Sequence, residues 1–209
     1  LQNPDGSFKG DEWGEIDSKY AYCGILILSL LGHLDFIDVS KTVDWILSCQ
    51  NFDGGFGCVP GCESHAGQIF TSLAALSIAN SLDRINKNEI ESIALFLSER
   101  QDSETGGLDS RPEKLPDVCY TWWVGASLDI IDHKDWINSK KLEKFVLSAQ
   151  DSEIGGIADV PGHRADPFHT FFGLAGLSIF RKQNLPEIDP AYAMPKKVLE
   201  KHFLAIKGQ

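Results

Sequence analysis

Residues 111–123 read Arg-Pro-Glu-Lys-Leu-Pro-Asp-Val-Cys-Tyr-Thr-Trp-Trp and bring three kinds of chemistry into one stretch. Arg111 and Lys114 are cations for an anion. Asp117 and Cys119 are ligand types for a metal. Tyr120, Trp122 and Trp123 offer ring surface to an apolar group. His169 completes a possible metal set, because Asp, Cys and His ligands with a fourth position left open match catalytic zinc sites. The same residues would serve equally as a helix-capping Asp, a core Cys and a hydrogen-bonded His, and spacing alone does not choose. His65 and Lys19 add further cations ahead of apolar segments, where helix N-termini favour anions. Ordinary surface ion pairing would also account for them.

One stretch cannot enclose a pocket, so other elements must be placed opposite it. An internal repeat provides them. Gln2-Asn-Pro-Asp-Gly-Ser-Phe8 returns as Gln50-Asn-Phe-Asp-Gly-Gly-Phe56, then as related segments at Gln101–Leu108 and Gln150–Ile157. The period is about 50 residues. In each repeat the glycines predict a tight turn. A polar loop follows, then a segment rich in Ala, Leu, Ile and Gly: Tyr20–Gly32, Ala66–Leu82, Val118–Leu128 and Phe168–Phe180. Such segments predict helices buried on every side. Amphipathic segments then lead to the next glutamine. Ser139–Gln150 places Leu142, Phe145, Val146 and Ala149 at helical spacing, and Asn88–Gln101 reads alike, with Asn88 and Glu91 as an expected capping box. Asp166-Pro167 predicts a helix start, with Asp as cap and Pro in the first turn.

Buried helices alternating with amphipathic ones imply inner and outer layers. The expected fold is all-α, an α/α toroid (barrel) of helical hairpins around a central cavity. Four repeats are few to close such a ring. The expectation is therefore a single toroid domain over residues 1–209, the C-terminal part of a longer protein whose N-terminal hairpins are missing. Tyr22, Phe70, Tyr120, Trp122, Trp123, Phe171 and Phe172 would either fill the core or line that cavity.

A net charge of −11 argues against nucleic-acid binding. With five cysteines, no signal peptide and no run of eighteen apolar residues, the expected setting is cytoplasmic and reducing, without an integral membrane span. Cys58-x3-Cys62-x2-His65 resembles a metal cluster but lacks a fourth partner, so it is set aside.

The chain resembles the β subunits of protein prenyltransferases, and among them those of Rab geranylgeranyltransferases. The resemblance rests on Glu63-Ser-His-Ala-Gly-Gln-Ile69, the whole of Arg111–Trp123, Asp166-Pro-Phe-His-Thr170, the glutamine-to-glycine repeats and Met194-Pro195. It implies a zinc site of Asp117, Cys119 and His169, with the substrate cysteine as fourth ligand. It implies that His65, Arg111, Lys114 and Tyr120 act on a diphosphate, with Ala66 and Gly67 beside it and Gly67 allowing close approach. Trp123 would line a lipid tunnel. Lys19 stands where close relatives carry arginine. Asp159 matches a position that some relatives use for Mg2+, which leaves magnesium open. The implied reaction moves a geranylgeranyl group from its diphosphate to C-terminal cysteines of a Rab GTPase. The implied partners are a helical α subunit, forming a heterodimer, and an escort protein that presents the Rab. A non-catalytic toroid binding partners through its rim is the competing expectation. A terpene cyclase is a third, though the chain has no Asp-x-Asp-Asp run.

Overall fold

The structure, a computed structural model, describes residues 1–207. Four helices form the inner layer: α1 (Ser18–Leu31), α3 (Ala66–Ile78), α5 (Tyr120–Ile130) and α7 (Pro167–Ile179). Three form the outer layer: α2 (Val39–Ser48), α4 (Lys87–Ser98) and α6 (Ser139–Ser148). Each inner helix packs on the next, α1 on α3, α3 on α5 and α5 on α7. Short 3-10 turns at Leu34–Phe36, Leu82–Arg84 and Lys134–Trp136 carry the chain from inner to outer layer. No helix among the described residues is long and apolar enough to cross a membrane.

Local chemistry sets the helix starts. Asp17, Asp38, Asn138 and Asp166 each accept a backbone N–H of the first helical turn through the side chain. The capping box falls at Asn86 and Glu89 rather than Asn88 and Glu91. Both pairs have the required spacing, but Asn86 takes the extended backbone of a cap (φ −75°, ψ 166°) while Asn88 lies inside the helix.

The repeat glutamines have a structural task. Gln2 accepts the Asp38 N–H (3.0 Å) and donates to the Asp38 carbonyl (2.9 Å). Gln101 repeats this at Asn138, with distances of 2.8 and 3.2 Å. Each thus grips the cap residue of the outer helix that follows. The turn glycines make room for it: a Cβ on Gly106, at φ 78°, would lie 2.5 Å from the Lys141 side chain.

Phe56, Phe70, Leu73, Leu76, Ile93, Leu97, Leu108, Trp122 and Leu128 are fully buried. Each such side chain contributes about 1.5–3 kcal/mol relative to exposure. The inner helices are not buried alike. Most of α3 is covered, whereas Ile27 and Leu31 of α1 and Phe168, Phe171 and Leu174 of α7 are exposed. An inner helix is enclosed only where another inner helix lies on each flank, and α1 and α7 end the row. The aromatics divide in the same way. Tyr22, Phe70 and Trp122 are core, with Phe70 edge-on to the other two at 5.5 Å between centroids. Trp123 and Phe172 stay partly exposed, 4.6 Å apart.

After α7 the chain forms a two-stranded antiparallel hairpin, β1 (Ile188–Asp189) with β2 (Met194–Pro195), and helix α8 (Lys196–Lys207). This segment returns to α1. Tyr22 donates to the Ala191 carbonyl at 2.8 Å, Ser29 meets the Tyr192 hydroxyl at 2.7 Å, and His202 reaches the Leu30 carbonyl at 2.6 Å.

Candidate metal and anion site

Asp117 and Cys119 sit on a tight approach to α5. The Asp117 N–H bonds to the Leu108 carbonyl and the Val118 N–H to that of Asp159, so backbone on both sides fixes the segment. The Asp117 carboxylate accepts the Cys119 N–H at 2.7 Å. Cys119 occupies the cap position of α5 without a capping bond from its own side chain, so its sulfur is not engaged there.

His169 comes from the first turn of α7. Asp166 accepts the Phe168 and His169 N–H groups at 2.8 and 3.0 Å through Oδ1. Its Oδ2 lies 2.5 Å from His169 Nδ1. That contact places the ring proton on Nδ1 and turns Nε2 toward Asp117 Oδ1, 3.3 Å away. Thr170 steadies the turn by donating to the Asp166 carbonyl while its hydroxyl accepts the Ile157 N–H.

One ligand atom from each of Asp117, Cys119 and His169 lies within 4.8 Å of the other two. Among the described residues this is the group of three so arranged, and it excludes Cys58, Cys62 and His65. The donor set fits zinc: one carboxylate, one thiol and one imidazole whose far nitrogen is held by a carboxylate. Burial, then the neighbouring Asp117, push the Cys119 thiol far above its ordinary range. A cation bound beside the Cys119 sulfur would oppose that shift and favour the thiolate.

The anion candidates meet the triad at Tyr120, the residue after Cys119. The Tyr120 hydroxyl lies 3.3 Å from His65 Nε2, which joins the start of α5 to the start of α3. His65 Nδ1 accepts the Gly67 N–H at 3.0 Å, capping α3. An accepting Nδ1 leaves the ring neutral with its proton on Nε2. Burial, then the Arg111 charge, lower the His65 pKa and favour that form.

Arg111 is half-buried and paired with Glu63 at 3.0 Å, and Lys114 is exposed. Lys19 is exposed and paired with Asp17 at 3.2 Å. Ala66 is buried, and its N–H bonds to the Ser110 carbonyl, so it offers no free donor. A Cβ on Gly67 would lie 3.2 Å from His65 Nδ1, so glycine there lets the histidine fold back as a cap. Trp123 lies beside Phe70 and Phe172. Asp159 pairs with His163 at 3.0 Å.

Two functional contacts escape the sequence reading. Asp166 was expected only as a helix cap, yet it also orients His169, and its position three residues ahead was the available signal. Glu63 partners Arg111 across a long sequence gap, which no local pattern announces.

Comparison with known proteins gives consistent findings. The family described as "Prenyltransferase alpha-alpha toroid domain" matches residues 1–194. The geranylgeranyl transferase type-2 subunit beta of Saccharomyces cerevisiae is 53% identical over 200 residues, covering 96% of this chain and 61% of the relative. Its counterpart from Candida albicans is 48% identical, covering 96% of this chain and 60% of that one. The solved structure of Candida albicans protein geranylgeranyltransferase-I complexed with GGPP is similar at a TM-score of 0.82 and 25% identity, covering 97% of this chain and 64% of that one. The chain thus spans about three-fifths of the length of the curated relatives it matches.

Proposed function

Since the chain belongs to the prenyltransferase alpha-alpha toroid family, we propose that it is the β-type part of a geranylgeranyl transferase of the second type. In this reading the substrates are geranylgeranyl diphosphate and C-terminal cysteines of a Rab-type GTPase. The observation that carries it is the Tyr120–His65 contact, which joins the metal triad to the anion-binding edge.

Asp117, Cys119 and His169 would hold the metal, with Asp166 keeping His169 in the binding tautomer. Zinc bound there supplies positive charge that keeps the substrate thiol deprotonated near neutral pH, where a free thiol with a pKa of about 8.5 is mostly protonated. The remaining work falls to the chain's own groups. Arg111 and Lys114 bring positive charge to the diphosphate as it leaves. The neutral His65 and the Tyr120 hydroxyl donate protons in hydrogen bonds to its oxygens. Glu63 holds Arg111 at the edge until the anion competes for it. Trp123 and Phe172 offer ring surface to the hydrocarbon.

The working assembly includes a helical α subunit and an escort protein that presents the Rab, in the cytoplasm. Sequence similarity to the type-2 relatives supports this reading.

The test is single-turnover transfer by the full heterodimer with labelled geranylgeranyl diphosphate and escorted Rab, alongside elemental analysis. Stoichiometric zinc is expected, and Lys114→Ala should slow transfer roughly 10²–10³-fold. Zinc-free, fully active protein would overturn the proposal.

A further inference from the structure

The pair set aside in the sequence, Cys58 and Cys62, lies outside the triad and flanks a tight turn. The Cys62 N–H bonds to the Val59 carbonyl at 3.1 Å and closes a turn with Pro60 and Gly61 at its centre. Gly61 has φ 82°, so this is the Pro-Gly pattern of a type II turn. Both cysteines are anchored through their carbonyls. That of Cys58 accepts the Ser18 N–H at 2.8 Å, and that of Cys62 accepts Asn51 Nδ2 at 2.7 Å. The chain folds back closely here, since a Cβ on Gly57 would lie 2.9 Å from the Cys62 Cβ. Both thiols are half-buried and free. The turn tip is open, with nothing within 4 Å of the space a Gly61 Cβ would take.

We propose that Cys58 and Cys62 form a dithiol site that reacts with small-molecule disulfides of the glutathione class and closes to an intramolecular disulfide. Two observations set its chemistry. Burial, then the adjacent Cys62 thiol, raise the Cys58 pKa, which suits Cys58 to the second, resolving step. Cys49 is fully buried, and burial pushes its thiol up to about 12, which keeps it protonated and out of the exchange.

The exchange balances in two steps. The Cys62 thiolate attacks one sulfur of the small disulfide, and one small thiol leaves. The Cys58 sulfur then attacks the Cys62 sulfur of that mixed disulfide, the Cys58–Cys62 bond forms, and the second small thiol leaves. Two electrons and two protons pass from the protein to the reagent, which ends as two thiols. The turn supplies the proximity that makes the second step intramolecular. The new bond would stiffen the segment that enters His65 three residues later.

The experiment treats the full chain with oxidised glutathione, removes excess reagent, alkylates remaining thiols and maps the peptides. Cleavage at Asp53 separates Cys49 from the pair. The expected result is a Cys58–Cys62 cross-link, an intact mass lower by two hydrogen atoms, and reversal by dithiothreitol. Cys62→Ser should abolish the cross-link while the other thiols alkylate as before. Retained glutathione on either cysteine of the unmutated chain would overturn the proposal. So would a link to Cys49 or to a second molecule, or recovery of both residues as alkylated thiols.

Discussion

Helices α5 and α7 face each other across the candidate metal site and are built on different terms. Helix α5 is covered along most of its length, from Thr121 to Leu128, and it presents Cys119 from its cap. In α7 the buried residues all lie at or beyond Gly173, while the half that carries His169 has Phe168 and Phe171 exposed. Packing therefore positions one wall. On the other wall Asp166 and Thr170 do so with hydrogen bonds. A ligand can be fixed by either means, but the two respond to different perturbations.

The largest effect should come from testing the packed wall against the open one. Leu128→Ala, at a fully buried position, should destabilise the protein by about 2–5 kcal/mol. Leu174→Ala, on the open side of α7, should cost under about 1 kcal/mol. Chemical denaturation of both variants measures this, and equal costs would erase the distinction. The converse variant is Asp166→Asn, which leaves packing alone and disturbs the hold on His169. On the zinc reading proposed above, it should weaken zinc retention roughly 10- to 100-fold in competition with a chelator, with the fold preserved by circular dichroism. Full retention would show that α7 needs no polar support.

The contrast extends to pH through α3. Its cap depends on neutral His65, whose pKa burial and Arg111 hold below the unfolded value. A group depressed on folding stabilises the native state above its unfolded pKa. That stability is lost as pH falls below about 6.5 toward the lower folded value. Melting temperature should therefore drop across this window, and His65→Asn, which can still cap, should flatten the drop. An unchanged slope in the variant would remove His65 from the account. Smallest of all is Lys19→Ala on α1, where the pair with Asp17 is solvent-screened. Its effect on stability should lie within about 0.5 kcal/mol, and a larger loss by thermal melting would indicate that this end of the row is less open than α7.

Much of this was legible in the sequence because repetition amplifies weak signals. The glycine turns and the apolar inner helices follow from equivalent positions in successive hairpins. For Asp117, Cys119 and His169, by contrast, spacing left two readings open, and the structure brings their ligand atoms within 4.8 Å of one another. What stayed hidden depends on neighbours rather than on period. Inner-helix composition is alike in α3 and α7, so it could not show that only the middle of the row is covered on both flanks. The capping-box register was missed because Asn86 with Glu89 and Asn88 with Glu91 satisfy the same spacing, and the backbone turn that makes Asn86 the cap is not written in either pair. Ala66 looked available beside His65, yet its N–H is spent on Ser110, a bond formed by a loop from the following repeat.

The bonds from Tyr22, Ser29 and His202 bridge residues 169, 163 and 172 positions apart. During synthesis α1 must therefore leave the ribosome with those partners still unmade, and it gains these bonds only when the β1–β2 hairpin and α8 arrive. Long-range closure of this sort slows folding. A nascent chain halted before Ile188 would leave Tyr22 and Ser29 of α1 without these partners, so the returning hairpin and α8 latch a helix made long before them.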